Sequence, residues 1–373
     1  MKKRIYKYFF TEFVRYFAVV LFASVAIVWT IQAVNFLDLV TEDGHAFKIY
    51  MIYSLLTLTK VATKLIPFSF LAASILTILK FDKDNELIIL WTSGLNKIHI
   101  VNLMLRISII IMFLQLLMSS IINPETLNKS RSLLKNSELQ FVSSLLKERQ
   151  FNDAVKALTI FVDKKNEDGT YDNIFIRDDG QTISNISSSS TIFAKSGYVI
   201  EDQKKLLLID GNIQKIDSQG NVSIIKFQET TFDLGGLTTK TTSEPKIQET
   251  STKKLIDCML GKSEATHNCG SDKKNISESK IEINKRFGMP IFLPLIGLIC
   301  CFLLSSRRER KIYNYYKYIF FLIGFLILVS AEISVRYSGI SFTHTMIYYF
   351  LPIGLLPLVY LYLIKTFKYE NLN

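Results

Sequence analysis

Hydrophobic residues fall in long blocks along this chain, and a polar segment of short alternating runs separates three blocks from three others. A helix needs roughly 20 apolar residues to cross about 30 Å of hydrocarbon. Six blocks reach that length, near residues 13–37, 61–79, 100–122, 287–305, 315–335 and 345–364. The first block is too long for the core of a signal peptide, and no small-residue cleavage site closes it. The pattern therefore predicts six transmembrane helices.

The polar segment has the alternation that is typical of β-strands. From residue 158 onward, runs such as "LTIFVD", "NIFIRD" and "KKLLLID" are separated by "NEDGTYDN", "RDDGQT", "IDGN" and "SQGN". Gly next to Asp or Asn is the composition that tight hairpin turns require. Because no helical pattern interrupts these strands, we expect an antiparallel sandwich or jelly roll. Apolar residues at helical spacing before it predict a linking helix, and a Thr-, Ser- and Lys-rich stretch after it predicts a mobile return segment.

These elements divide the chain into three parts. Residues 1–122 are predicted to hold transmembrane helices 1 to 3, with a short extra helix near 84–94. Residues 123–284 hold the inserted β domain, and residues 285–373 hold transmembrane helices 4 to 6. The predicted fold class is an α-helical membrane protein with an inserted, all-β, jelly-roll-like domain.

The distribution of charge predicts the orientation in the membrane. The chain carries a net charge of +11, but residues 124–284 hold 22 basic and 23 acidic side chains, so the excess lies in the membrane part. Basic residues in short connections stay on the cytoplasmic side. One side carries only Lys48 and Arg336, and the other carries Lys2, Lys3, Arg4, Lys7, Lys80, Lys83, Lys97, Arg307, Arg308, Arg310, Lys311, Lys365 and Lys368. Both termini should therefore be cytoplasmic, and nucleic acid is a poor explanation for the basicity.

Motifs for catalysis or for a cofactor are missing from the sequence. The stretch "LGKSE" resembles part of a phosphate-binding loop, but the glycine that such a loop needs is replaced by Ile256. The four histidines are scattered without metal-ligand spacing, and no nucleophile elbow or paired-carboxylate pattern occurs. We therefore expect neither an enzyme nor a bound cofactor or metal.

Charged residues near the ends of predicted membrane helices are candidate binding residues. Lys60 and Lys64 lie one turn apart, and Glu332 and Arg336 have the spacing of an ion pair within one helix. In one interpretation the lysines extend to the lipid headgroups and Glu332 pairs with Arg336. In the other, Lys60, Lys64 and Arg336 line a cavity for an anionic lipid headgroup. The sequence alone does not decide between these two interpretations.

Two of the four cysteines lie in the return segment, in the stretch "CMLGKSEATHNC". In an oxidising compartment Cys258 and Cys269 can form a disulfide, whereas the alternative is two unpaired thiols. Spacing along the chain does not decide between these states, because a disulfide requires a specific geometry.

The stretch "KFDKDNELIILWTSGLNKIH" predicts a short amphipathic helix between the second and third membrane helices. Asp84 can cap it, Glu86 lies favourably in its first turn, and Gly94 can end it. Its apolar face comprises Leu87, Leu90, Trp91 and Leu95. So short a helix is marginal alone in water, and we expect it to dock either on the bilayer surface or on another protein. A partner that supplies energy is attractive, because the chain has no nucleotide-binding motif.

Two stretches carry a resemblance to a known family. "LIPFSFLAASILTILKFDKDNELIILWTSGLN" is similar to the proline-containing second membrane helix and following acidic helix of the lipopolysaccharide export permeases, the LptF/LptG family. "EINKRFGMPIFLPLIGLICCFLLSS" resembles the Arg-then-Pro start of that family's fourth helix, and Glu12 in "YKYFFTEFVRYF" is a weaker match. The strand runs "NIFIRDD" and "KKLLLIDGNIQKID" resemble the LptF branch.

The resemblance implies a role for this chain in a larger assembly. It implies a non-catalytic permease subunit of an ABC exporter in the bacterial inner membrane, with an LptG-like second permease, an LptB-like ATPase dimer, an LptC-like bitopic protein and a periplasmic LptA-like bridge. Lipopolysaccharide would be the transported lipid. The short helix would be the coupling helix, with its glutamate at Glu86, and the ATPase-coupling residues would be Asp84, Glu86, Leu87, Leu90, Trp91 and Gly94.

Two features of this chain depart from the family pattern, and a second function remains open. The return segment with its two cysteines is unusually long, and Trp91 replaces a smaller or polar residue. The alternative function is a membrane-anchored periplasmic sensor or assembly scaffold that binds a ligand without transport.

Overall fold

The structure is a computed structural model that describes residues 2–41, 46–136, 146, 148–152, 158–166, 168–179, 189–200, 205–216, 222–234, 246–260, 273–305 and 313–370. It contains two compact units. The helical unit comprises Met1–Ile31, Leu56–Asn128 and Lys246–Asn373, and the β unit comprises Gln32–Leu55 and Lys129–Pro245.

Helices account for most of the described chain. They are α1 (Lys2–Asn35), α2 (Asp38–Thr41), α3 (Phe47–Lys83), α4 (Glu86–Thr92), α5 (Lys97–Leu117), α6 (Asn123–Asn136), α7 (Thr252–Met259), α8 (Lys273–Cys300), α9 (Tyr313–Tyr337) and α10 (Phe342–Glu370). A π-helical turn, the π segment Met118–Ile122, joins α5 to α6, and short 3-10 turns cover Ile247–Glu249 and Cys301–Leu304. Helix α6 lies where the linking helix was predicted, and in the described chain it extends to Asn136.

Within the described residues, six helical stretches are long and apolar enough to cross a membrane. They are Lys3–Val40, Phe47–Lys83, Lys97–Leu134, Asn275–Leu304, Tyr315–Tyr337 and Phe342–Lys368. Each contains one of the six predicted blocks almost entirely, so the prediction of six membrane helices is confirmed. The helices run past the ends of the apolar blocks because backbone hydrogen bonding continues into the polar flanks.

The core of the helical unit is built from aromatic and aliphatic side chains of several helices. Phe13 of α1, Phe70 of α3, Met104 of α5 and Leu293 of α8 are all fully buried in one cluster. Many apolar side chains face outward instead, as Phe22 does with 78% of its surface exposed. Outward apolar faces of this extent suit contact with lipid or with another membrane helix.

The β unit contains a five-stranded antiparallel sheet. Its strands are β1 (Leu158–Lys165), β2 (Thr170–Asp178), β3 (Ser189–Ile200), β4 (Lys205–Ile216) and β5 (Val222–Asp233), paired in sequence order. Ile174 and Ile176 of β2 and Leu206 and Leu208 of β4 belong to one buried cluster. The predicted α-helical membrane protein with an inserted β domain is therefore confirmed.

The predicted turn in "NEDGTYDN" joins β1 to β2. Gly169 has a φ of +83°, and the Thr170 hydroxyl and amide both donate to Asp168 Oδ1. These hydrogen bonds, the hydroxyl's first, lower the pKa of Asp168 below its usual value. "RDDGQT" lies partly, and "SQGN" wholly, outside the described residues.

The predicted turn in "IDGN" is wrong, because β4 continues through this stretch. Asp210 has a φ of +50°, which Asp tolerates better than most residues, and its carboxylate lies 2.5 Å from Lys195 Nζ on β3. A Cβ on Gly211 would lie 2.1 Å from the Phe193 carbonyl oxygen. Here the Asp-Gly pair allows an irregular, closely packed point inside a strand rather than a reversal of the chain.

Candidate functional site

Helix α4 forms where a short helix was predicted, but its start differs from the prediction. Asn85, with a φ of 59°, precedes its first residue Glu86, and no side chain caps the helix. The prediction that Asp84 caps it is therefore wrong, since the chain leaves α3 through a left-handed turn that Asn adopts more readily than most residues. At the other end Gly94 has a φ of +80°, and its amide donates to the Trp91 carbonyl, as the predicted stop requires.

The predicted apolar face of α4 packs inside the same chain. Leu87 is only 4% exposed and joins the core of the helical unit together with Leu95, while Leu90 and Trp91 pack against that core. The apolar side chains that α4 leaves uncovered are Ile88 and Ile89, and Ile89 is 64% exposed. This exposed pair, the Ile88–Ile89 ridge, was absent from the predicted coupling residues, since periodicity does not tell which face turns inward.

A polar network links α4 to α1 and α3. The Tyr8 hydroxyl donates to Glu86 Oε1 at 3.0 Å. Lys80 Nζ lies 2.7 Å from Glu12 Oε2 and 5.9 Å from the centroid of the Tyr8 ring. The structure thus brings together Glu86 and Glu12, the two acidic residues singled out by resemblance. It also adds Tyr8 and Lys80, which lie in stretches quoted for the resemblance but were not predicted to be site residues.

A second contact holds α4 from the other side. Lys97 Nζ lies 5.6 Å from the ring centroid of Trp91 and 5.6 Å from that of Phe367 on α10. Lys97 is buried, so these cation–π contacts are shielded from water. Trp91, a departure from the family pattern, therefore connects α4 to α5 and α10. Both networks hold α4 in a defined position on the helical unit.

A cavity of about 360 Å³ lies between α3, α5, α6, α8 and α9 of the helical unit. We call it the Lys60 cavity. Much of its wall is apolar, with Pro67, Phe68 and Leu328 among the lining residues. Its charged lining residues are Lys60, Lys64, Lys285, Arg286, Glu282 and Glu332.

Two of the four cations in the Lys60 cavity are neutralised by its two acids. Lys285 pairs with Glu332, and Arg286 Nε lies 3.0 Å from Glu282 Oε1. Among the residues that the structure describes, no acidic side chain lies within ion-pairing distance of Lys60 or Lys64. The cavity therefore has an excess of two positive charges, which favours an anionic ligand.

Arg286 has a structural role rather than a ligand-binding one, because its side chain contacts three groups of the same chain. It is 3% exposed, and besides Glu282 it donates to Thr252 Oγ1 at 2.9 Å and to the Gln248 carbonyl at 3.1 Å. Ser119 of the π segment in turn donates to the Arg286 carbonyl. Arg286 therefore joins α7 and the π segment to α8. It lies in the stretch quoted for the resemblance, but its partners could not be read from sequence.

The three predicted lipid-binding residues do not all meet. Lys60 and Lys64 line the cavity, whereas Arg336 is exposed on α9 and does not line it. The ion pair between Glu332 and Arg336, which belonged to the alternative interpretation, does not form either, because Glu332 pairs with Lys285 of α8 instead. A partner on a neighbouring helix has displaced the partner four residues away on the same helix.

The predicted disulfide involves a residue that the structure does not describe. Cys258 is buried at the end of α7 and is disulfide-bonded. Cys269 lies outside the described residues, so its pairing with Cys258 stays a prediction. In the described part of the chain, no three His, Cys, Asp or Glu side chains converge on a position suited to a metal ion.

This chain was compared with protein-family models and with known proteins, and both comparisons found a match. The family model described as "Lipopolysaccharide export system permease LptF/LptG" matches residues 7–366. A protein of Rickettsia prowazekii (strain Madrid E), named "Uncharacterized protein RP871", is 28% identical over 223 residues. That alignment covers 59% of this chain and 61% of the Rickettsia protein.

Proposed function

This chain belongs to the LptF/LptG family of lipopolysaccharide export system permeases, and on that basis we propose that it is a non-catalytic permease subunit for lipopolysaccharide export. The match extends over residues 7–366, which include all six membrane helices and the β unit in part or in full. In this proposal the protein lies in the bacterial inner membrane and extracts lipopolysaccharide from it for transfer toward the outer membrane.

We propose further that α4 couples the chain to a separate ATPase. The observation that carries this step is the geometry of α4, which two networks hold on the helical unit while the Ile88–Ile89 ridge stays exposed beside Glu86. An apolar ridge next to a carboxylate suits a groove edged by a basic side chain. Of the predicted coupling residues, Leu87, Leu90 and Trp91 then hold α4 in place, and Glu86 contacts the ATPase.

The remaining partners follow from the same proposal. They are an LptG-like second permease subunit, an LptC-like bitopic protein and an LptA-like bridge, and we assign this chain to the LptF branch. The β unit hands the lipid to the bridge.

Purification in mild detergent tests the proposed function. The full-length chain should copurify with an ATPase in stoichiometric amount. Ile89→Asp should abolish this copurification, because a charge on the exposed ridge prevents apolar docking. Ile340→Asp is the matched control, since Ile340 is 68% exposed outside the helices, and it should retain the ATPase. A kinase, or no partner at all, with the wild-type chain would favour a sensor or scaffold instead.

The proposed orientation has both termini in the cytoplasm and the β unit in the periplasm. Single cysteines placed on a cysteine-free background should show it by labelling with a membrane-impermeant thiol reagent. Positions 170 and 340 should react in intact cells, and positions 83 and 309 should react only after permeabilisation. Labelling of position 83 from outside would refute the orientation.

A further inference from the structure

Arg106 is a charged residue on the outward face of a membrane helix. It lies on α5 with its side chain exposed, whereas its neighbours Met104 and Ile107 pack into the core of the helical unit. The apolar block of this helix begins at residue 100, so at 1.5 Å per residue Arg106 lies about 9 Å inside the block. An ionisable group at such a depth is costly unless a partner satisfies it.

The residues that the structure describes do not supply a partner for Arg106. Its guanidinium makes no hydrogen bond and no ion pair with any of them. Helix α5 contains no acidic residue, and the only acidic residue of α10, which packs beside it, is the last one, Glu370. A cation at this depth with no acid on either helix favours an anionic ligand from outside the chain.

Asn102, one turn before Arg106 on α5, supplies a second donor. The Tyr360 hydroxyl of α10 donates to Asn102 Oδ1 at 2.8 Å, and the Asn102 amide nitrogen donates to no described residue. Side chains on a helix lean toward its N-terminus, so the guanidinium of Arg106 extends toward Asn102 and toward the headgroups at that end of α5. The two side chains thus place N–H donors at one point of the membrane surface, away from the residues that line the Lys60 cavity.

We propose that Arg106 and Asn102 form a binding site for the phosphate group of an anionic phospholipid. The lipid lies in the leaflet at the Lys97 end of α5, which is the cytoplasmic leaflet in the proposed orientation. The guanidinium binds the phosphate with two N–H groups, and the Asn102 amide adds a third hydrogen bond. The acyl chains lie along Ile110 and Phe113, which are 55% and 57% exposed deeper on the same helix.

The charge and direction of these side chains distinguish this ligand from two others. A zwitterionic phospholipid fits less well, because its ammonium group adds positive charge to a site without an acid. A carboxylate within a partner's membrane helix also neutralises an arginine. It fits less well too, because the Arg106 side chain leans toward the headgroups rather than into the hydrocarbon.

Three substitutions test the parts of the site. Arg106→Gln removes the charge from an exposed side chain outside the core, so the fold should be retained. We expect its affinity for phosphatidylglycerol to fall at least roughly tenfold, since charge-assisted hydrogen bonds are lost. Arg106→Lys keeps the charge but lacks the planar fork, and its loss should be smaller. Asn102→Asp keeps an oxygen for the Tyr360 hydroxyl but places a carboxylate beside the guanidinium, and it should abolish the preference for an anionic lipid.

The measurement is titration of phosphatidylglycerol and of phosphatidylethanolamine into the purified full-length chain in mild detergent. Native mass spectrometry of the bound lipid and the shift in thermal unfolding report the binding. The wild type should bind phosphatidylglycerol more tightly, and Arg336→Gln, at an exposed arginine of α9, is the matched control that should bind both lipids as the wild type does. Equal affinity of the wild type for both lipids, or undiminished phosphatidylglycerol binding by Arg106→Gln, overturns the proposal. If Arg106→Gln instead loses a copurifying membrane protein and keeps the lipid, the partner of Arg106 is an acidic residue of that protein.

Discussion

Replacing Glu86 with alanine will weaken ATPase assembly or uncouple ATP hydrolysis from lipopolysaccharide release, while the chain still folds in the membrane. In the coupling role that we propose, Glu86 pairs with a basic group of the ATPase, and its carboxylate accepts a hydrogen bond from the Tyr8 hydroxyl beside the exposed Ile88–Ile89 ridge. Removing one member of a desolvated charge pair costs about 2–5 kcal/mol, which weakens docking by orders of magnitude. Copurified ATPase and its lipid-stimulated hydrolysis rate are the readouts.

Two conservative variants separate the charge of Glu86 from its position. Glu86→Gln keeps an acceptor for Tyr8 but removes the charge, and we expect it to fail as Glu86→Ala does. Tyr8→Phe keeps the ring packed against Phe81 but frees the carboxylate, and we expect a smaller loss. Glu229→Ala, which removes an exposed carboxylate from β5 in the β unit, is the control. Normal assembly, hydrolysis and export by Glu86→Ala would show that no charge pair forms here.

The packing of α4 also decides which apolar substitutions are informative. Because Leu87 is buried in the core of the helical unit, Leu87→Asp would place a charge in that core and disturb folding. Trp91→Asp would likewise remove the contact with Lys97. Neither change isolates docking. Ile89→Asp does, since its side chain contributes little to the core.

Arg286→Ala will cause a large loss of stability in the helical unit. The substitution removes a buried guanidinium that joins α7 and α8. It also leaves the Glu282 carboxylate without its ion-pair partner. Breaking a buried ion pair by removing one partner costs about 3–5 kcal/mol. Thermal unfolding of the purified chain in mild detergent should therefore begin several degrees below that of the wild type.

Arg336→Ala provides the matched control for this measurement, because Arg336 is exposed and its contribution to stability should be small. Arg286→Lys should fall between the two, since lysine keeps the charge but lacks the planar fork that contacts three groups at once. If Arg286→Ala and Arg336→Ala unfold at the same temperature, the network around Arg286 does not hold the unit together.

Features that depend on local composition were readable from the sequence. Six apolar blocks predict six membrane helices because the thickness of hydrocarbon sets a minimum length, whatever the helices pack against. The hairpin at Gly169 and the end of α4 at Gly94 follow from the backbone freedom of single residues. Lys60 and Lys64 share a helix face because they are one turn apart.

Features that depend on which helices and strands lie side by side were decided only by the tertiary structure. Glu332 pairs with Lys285 on α8 rather than with Arg336 four residues away, and the predicted apolar face of α4 turns toward its own chain. Asp210 and Gly211 form an irregular, closely packed part of β4 instead of a turn, because the backbone of β3 lies close beside Gly211. Lys60 of α3 and Lys285 of α8 line one cavity because helices distant in sequence enclose it. Periodicity along one helix or strand specifies which residues share a face, but the neighbour that covers that face is set by packing across the whole unit.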